Sequence, residues 1–123
     1  MYKIMGKKVL YVDADGAWRE TVSASFQEAG QAVICAQNAT EALELAGNNE
    51  LCLIILELDL AGENGLNLLK FLKHNDPGTP VVVFTHLNQD ESSIAAILKE
   101  GADQYLQKDS VESLLVTAGA YFP

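Results

Sequence analysis

Short apolar runs and amphipathic segments alternate strictly along this chain, five of each, and that alternation leaves few folds open. Lys8 to Val12 (KVLYV) is β-rich and uninterrupted, the pattern of a strand buried on both faces. Ala32 to Cys35, Leu51 to Leu56, Pro80 to Phe84 and Gln104 to Leu106 read as further strands, the fourth opened by a proline that only a first position tolerates. Between them, Trp18, Val22, Phe26 and Ala29 recur at helical spacing until Gly30 ends the helix. Asn38 with Glu41 three residues on has the form of a capping box, starting a helix that carries Ala42, Leu43, Leu45 and Ala46. Gly62 and Gly65 flank a loop, and Leu66, Leu69 and Leu72 give the face of the third helix. Ile94, Ile97 and Leu98 give the fourth, and Val111, Leu114, Leu115 and Ala118 the fifth, which Gly119 weakens. Strand and helix in strict alternation mean an α/β fold, a parallel sheet with helices on both faces, because each parallel connection needs a right-handed crossover.

With 123 residues, 49% of them hydrophobic, the chain supports one sizeable core, so a single domain is expected. No stretch approaches the ~18 apolar residues of a membrane span, and Met1 to Lys8 lacks the apolar centre of a signal peptide, so a cytoplasmic location is expected. Seventeen acidic against eight basic residues give a formal charge of −9, which argues against direct contact with nucleic acid or an anionic membrane. Cys35 and Cys52 sit inside apolar runs without CxxC spacing and read as reduced, buried core thiols.

In an open parallel sheet, functional groups gather outside the carboxyl ends of the strands. There the sequence places Asp13, Ala14 and Asp15 after the first strand, Glu57 and Asp59 after the third, Thr85 and His86 after the fourth, and Lys108 after the fifth. Acids, a hydroxyl and a lysine therefore converge at one end.

From about Lys7 to Ala118 the chain resembles the receiver domain of two-component response regulators. The resemblance rests on VLYVDAD, LIILELDLAGENG, VVVFTH and GADQYLQKD in order on the right elements. It implies a flavodoxin-like (CheY-like) three-layer sandwich with strand order 2-1-3-4-5 and five helices, residues 1–6 forming an N-terminal extension, 7–118 the domain and 119–123 a tail. In that family two acids after the first strand, an acceptor aspartate and a backbone carbonyl hold Mg²⁺. Asp13 matches the first acid, Asp59 the carbonyl position, Thr85 and Lys108 the phosphoryl contacts, and Tyr105, with Thr85, the switch pair. Glu57 stands at the phosphoacceptor position and Ala14 at that of the second acid.

These two departures imply a degenerate receiver, a pseudo-receiver that is not an enzyme. In-line attack on phosphorus tolerates little misplacement, about 1 Å costing roughly a hundredfold, and glutamate is one methylene too long. Mg²⁺ demands near-octahedral oxygen ligation, and Ala14 offers no side-chain oxygen. No cofactor is expected, and Mg²⁺ at Asp13, Glu57 and Asp59 is expected to be weak or absent. Asp15 belongs to the acidic pocket but is as well placed to cap the first helix. His86 is either a gate crowding the pocket or a solvent-facing loop residue. Asp109 replaces the proline that follows the lysine in the family, which predicts a trans bond there.

Two readings of Glu57 stand side by side: a partial mimic of the phosphorylated state, reaching Lys108 and Thr85, or a relic that merely pairs with Lys108. Mimicry predicts Thr85 drawn to Glu57 and Tyr105 turned inward. A residually active phosphoreceiver, accepting phosphate from a histidine kinase on Asp59 or Asp13, is the alternative. A nucleotide or flavin site is disfavoured, since Asp13 to Gly16 put negative charge where a phosphate would sit. The expected partners are proteins, namely a histidine kinase, an effector domain or another regulator, with a homodimer as a further possibility. The family's output face points to Lys99, Glu100, Asp103, Gln104, Asp109 and Glu112 as contacts.

Overall fold

The computed structural model describes residues 6–123, so the N-terminal extension lies, all but Gly6, outside the described residues. Five parallel strands, β1 (Lys8–Val12), β2 (Val33–Ala36), β3 (Leu51–Leu56), β4 (Val81–Thr85) and β5 (Gln104–Gln107), form one sheet of order β2-β1-β3-β4-β5. They alternate with α1 (Gly16–Glu28), α2 (Ala39–Asn48), α3 (Gly65–Asn75), α4 (Glu91–Lys99) and α5 (Val111–Gly119). This is the flavodoxin-like topology that the resemblance implies. Register runs Val12 to Ala36 and Leu56, Leu56 to Val83, and Thr85 to Gln107, so β1, β2 and β3 end level and the last two strands run two residues further at the same edge.

The uninterrupted apolar strands are explained by two cores. Successive side chains of a strand point to opposite faces, so both faces need apolar residues when helices cover both. Leu10, Val12, Ile54, Leu56, Val81 and Val83 pack on one face beneath Ala42 of α2, Leu69 of α3 and Ile97 of α4. Val9, Tyr11, Leu53, Ile55, Val82 and Phe84 pack on the other beneath Val22 and Phe26 of α1 and Leu114 of α5.

Helix starts follow local chemistry. Asp15 caps α1, accepting from the amides of Ala17 and Trp18; Asn38 caps α2, Asn64 α3, Asp90 α4 and Ser110 α5. The box at α2 is shifted: Asn38 accepts from the Glu41 amide, but Glu41 reaches back to the amide of Gln37 instead of that of Asn38. Every peptide bond of the described residues is trans, that between Lys108 and Asp109 included.

Several expectations need correction. β2 and β4 each begin and end one residue later than their hydropathy suggests, and β5 extends to Gln107. Ala29 is exposed because it is the C-cap of α1, beyond the packed face, and Leu98 is 40% exposed on the outside of α4. Cys35 and Cys52 are free thiols but only half-buried: Cys35 lies on the edge strand against Ser23, and Cys52 is the second residue of β3, near its amino end. Tyr121 and Phe122 fold back onto the domain. Phe122 packs edge-on against Phe26 at 5.5 Å, and the Tyr121 hydroxyl accepts from Gln104.

The loop between β3 and α3 holds an unforeseen two-stranded antiparallel ribbon, Asp59–Leu60 with Glu63–Asn64. Its two-residue turn has Ala61 at φ 54° and Gly62 at φ 97°, the positive pair that matches the twist of a tight hairpin. Gly65 then starts α3 against the backbone of Leu58, where a Cβ would come within 2.5 Å of the Leu58 Cα. Glu63 ties the ribbon to α2 by accepting from the Ala39 amide at 2.9 Å.

Candidate functional site

Strands that all end at one edge of the sheet bring the predicted residues together. Asp13, Glu57 and Lys108 each follow the last residue of their strand, and Thr85 closes β4. The Glu57 amide donates to the Val12 carbonyl and the Lys108 amide to that of Thr85, so the sheet ladder itself fixes where these side chains begin.

Glu57 is the centre, 1% exposed. Its Oε1 accepts from Lys108 Nζ at 2.8 Å and from the His86 amide at 3.1 Å. Its Oε2 accepts from the Asp59 amide at 3.1 Å and from the Thr85 hydroxyl. A carboxylate offers about four lone-pair sites, and here four donors meet them. Burial alone would raise the Glu57 carboxyl, but Lys108, Thr85 and the two amides outweigh it and hold the group below the usual carboxylate range.

Lys108 bridges two acids. Its Nζ lies 2.7 Å from Asp13 Oδ2 as well as 2.8 Å from Glu57 Oε1, with the side chain only 5% exposed. The ammonium also sits 5.2 Å from the centroid of Trp18 and 5.9 Å from that of Phe84, within cation–π reach of both. Asp13, 2% exposed, further accepts from the Tyr11 hydroxyl on Oδ2 at 2.6 Å and from the Asp15 amide on Oδ1 at 3.0 Å. Arg19 holds the Asp13 carbonyl at 2.8 Å.

From Glu57 a chain of bonds leads outward. Thr85 Oγ1 accepts from the Leu87 amide at 3.2 Å, and the Leu87 carbonyl accepts from the Tyr105 hydroxyl at 3.2 Å. The Tyr105 ring is half-buried against the core beneath α2, α3 and α4. Burial and the charge of Glu57 both raise its phenol.

The pocket at this end encloses about 340 Å³, lined by Asp13, Ala14, Asp15, Trp18, Glu57 and Lys108 with Asp59, Ala61 and His86 at its mouth. The His86 ring is exposed, and its Nε2 lies 2.9 Å from Asp59 Oδ2 across the rim. Asp15 spends Oδ1 on its cap. For a cation, the pocket leaves one open lone-pair site on Asp13 Oδ1, the second oxygens of Asp15 and Asp59, and backbone carbonyls. Among the described residues no group of three or more His, Cys, Asp or Glu is arranged to hold a metal.

The sequence does not single out Tyr11, the two backbone amides or Arg19. For Tyr11 a signal exists: a tyrosine in an otherwise aliphatic buried strand must find an acceptor for its hydroxyl, and the residue two positions on, on the same face, is Asp13. The output face is in part committed internally, since Asp103 accepts from the Val81 amide and Lys73, and Gln104 donates to Tyr121.

Comparison with known proteins agrees with this geometry. A family model described as the response regulator receiver domain matches residues 9–119. The response regulator MprA of Mycobacterium sp. (strain KMS) is 33% identical over 112 residues, covering 90% of this chain and 48% of that protein. The transcriptional activator protein PfeR of Pseudomonas aeruginosa is 32% identical over 105 residues, 85% of this chain and 34% of that protein. The chain thus spans about half the length or less of these curated relatives. Among solved structures, the Vibrio cholerae chemotaxis protein CheY4 superposes with a TM-score of 0.86 at 27% identity, covering 95% of this chain and 99% of that one. A response regulator from Burkholderia pseudomallei, solved with a phosphorylated aspartic acid and a calcium ion, gives 0.81 at 32% identity over 89% of this chain and 65% of that one.

Proposed function

This chain belongs to the response regulator receiver domain family, signalling modules of two-component transduction, and we propose that it signals without being phosphorylated. Its Glu57 carboxylate stands where a phosphoryl group would bring charge, and the domain acts as a protein–protein interaction module. The single observation that carries this reading is the carboxylate of Glu57 met by four donors. A nucleophile needs a free lone pair aimed at phosphorus, and this one has none to spare. Asp13, the alternative acceptor, is buried with three donors on it, and Asp59 sits at the rim facing His86.

The same contacts favour a mimic over a relic. A relic needs only the pair of Glu57 with Lys108. Here Thr85 is also drawn in, and its link through Leu87 engages Tyr105. The mimicry is partial, because one carboxylate charge replaces roughly two on a phosphoryl group.

Magnesium fits this donor set poorly. Six near-octahedral oxygens are wanted, Ala14 supplies no side-chain oxygen, and Lys108 already bridges the two carboxylates that a cation would have to share. In this reading Lys108 serves as the pocket's own counterion, and no cofactor is needed.

The partners we propose are proteins: a histidine kinase, an effector domain in the same or another polypeptide, another regulator, or a second copy of this chain. A charge of −9 disfavours nucleic acid and anionic membranes, and no described helix is long and apolar enough to cross a bilayer. Cytoplasmic residence accords with these features.

The test is incubation with Mg²⁺ and a small acyl phosphate, or with a histidine kinase and ATP, followed by intact-mass measurement. An unchanged mass is expected. A gain of one phosphoryl group, mapped to Asp59, Asp13 or Glu57, would instead make the domain a working phosphoreceiver.

A further inference from the structure

We propose that Tyr11 is a positioning residue that keeps the pocket closed to divalent cations by holding Asp13 onto Lys108. The inference rests on the reading that the pocket takes no cation and supplies a cause beyond the two departures at Ala14 and Glu57. Those departures remove or misplace a ligand; Tyr11 occupies one oxygen of the Asp13 carboxylate that is left.

The geometry is specific. The Tyr11 side chain has no exposure, and its hydroxyl makes a single bond, 2.6 Å to Asp13 Oδ2. A hydroxyl buried at this depth must keep an acceptor, since it has no water to turn to. Asp13 Oδ2 therefore carries two donors, Tyr11 and Lys108 at 2.7 Å, while Oδ1 carries the Asp15 amide. A cation approaching Asp13 Oδ2 has to displace either the ammonium, which Glu57 also holds, or a hydroxyl that has nowhere else to bond, which leaves Asp13 a single open site on Oδ1. The strand makes the arrangement permanent, because residues two apart share a face. It follows that restoring acids at positions 14 and 57 does not by itself rebuild a cation site.

The probe is Mn²⁺, titrated while the fluorescence of Trp18 is followed. Trp18 is the chain's one tryptophan and lines the pocket, so a paramagnetic ion bound there quenches it. Four chains are compared: the unaltered chain, Tyr11→Phe, Ala14→Asp with Glu57→Asp, and all three substitutions together. Tyr11→Phe removes the hydroxyl and keeps the ring. Adding it to the double variant is expected to tighten Mn²⁺ binding about tenfold, the ratio that matches one charge-assisted hydrogen bond. The single Tyr11→Phe variant is expected to quench at correspondingly lower Mn²⁺ than the unaltered chain, which keeps the comparison usable if the triple variant does not fold. Equal affinity with and without the hydroxyl, in chains that still unfold cooperatively, overturns the role of Tyr11 alone. Tight Mn²⁺ binding by the unaltered chain overturns the cation-poor reading itself, whatever Tyr11 does.

Discussion

Replacing Glu57 by glutamine keeps the length and nearly the shape of the side chain while removing its charge and one acceptor oxygen. The structure sets the cost. With the amide oxygen kept on the side of Lys108 and the His86 amide, the new NH₂ faces Thr85 and the Asp59 amide. The Thr85 hydroxyl can turn to accept; the Asp59 amide cannot and loses its partner. Weakening the bond to a charged donor costs about 1.5–3 kcal/mol, and leaving a partly buried amide unmet costs about 1 kcal/mol more. Lys108 remains paired with Asp13, so the larger penalty of an abandoned buried charge does not arise. The expected destabilisation is about 3 kcal/mol, or roughly 10 °C in Tm for a domain of this size. Urea unfolding followed by Trp18 fluorescence measures it. A Glu57→Gln chain within about 1 kcal/mol of the unaltered one would refute the argument that charge at this position holds the four donors in place.

Three further outcomes are expected. Because the folded-state pKa of Glu57 lies below its unfolded value, the stability it contributes is complete above about pH 4.3 and is lost as the pH falls through the lower folded value. Stability measured by urea unfolding over that acid range should therefore decline more steeply for the unaltered chain than for Glu57→Gln. Ala61→Asn should raise stability by about 0.5–1 kcal/mol, since asparagine tolerates the left-handed conformation that alanine adopts at φ 54° in the ribbon turn; a loss of stability in thermal unfolding would contradict this. Phe122→Ala should cost about 2 kcal/mol by removing a half-buried ring from Phe26, and a neutral result would show that the tail adds nothing to the core.

The fold was legible because two physical signals agreed. Strands apolar on both faces and helices apolar on one can only be layered, and Leu10 and Val9, one residue apart, do enter opposite cores. Errors fell where hydropathy cannot see geometry. Leu98 and Ala29 carry apolar side chains on the outside, and Cys52 sits in the most apolar run yet is only half-buried near the amino end of its strand. The ribbon was hidden because its turn pairs Ala61 with Gly62, lacking the asparagine or aspartate that usually marks a two-residue hairpin.

The principal side chains of the site were legible for the same reason that open parallel sheets gather ligands at one end. Asp13, Glu57, Thr85 and Lys108 each end or follow a strand, and the parallel register brings them to the same edge of the sheet. Backbone amides leave no mark in a sequence, so the contributions of the residues at 59 and 86 emerge only from the loop conformation. Tyr11 was legible in principle and escaped because the run around it reads as a uniformly buried strand.

The central claim concerns the state of one carboxylate, and ¹³C NMR of the Glu57 side-chain carboxyl reads it directly. The resonance should stay at its ionised position as the pH falls through the ordinary glutamate value of about 4.3, and Mg²⁺ should not move it. A midpoint at or above that value, or a shift on adding Mg²⁺, would mean that the carboxylate is free to take a proton or a cation, and the account would be wrong.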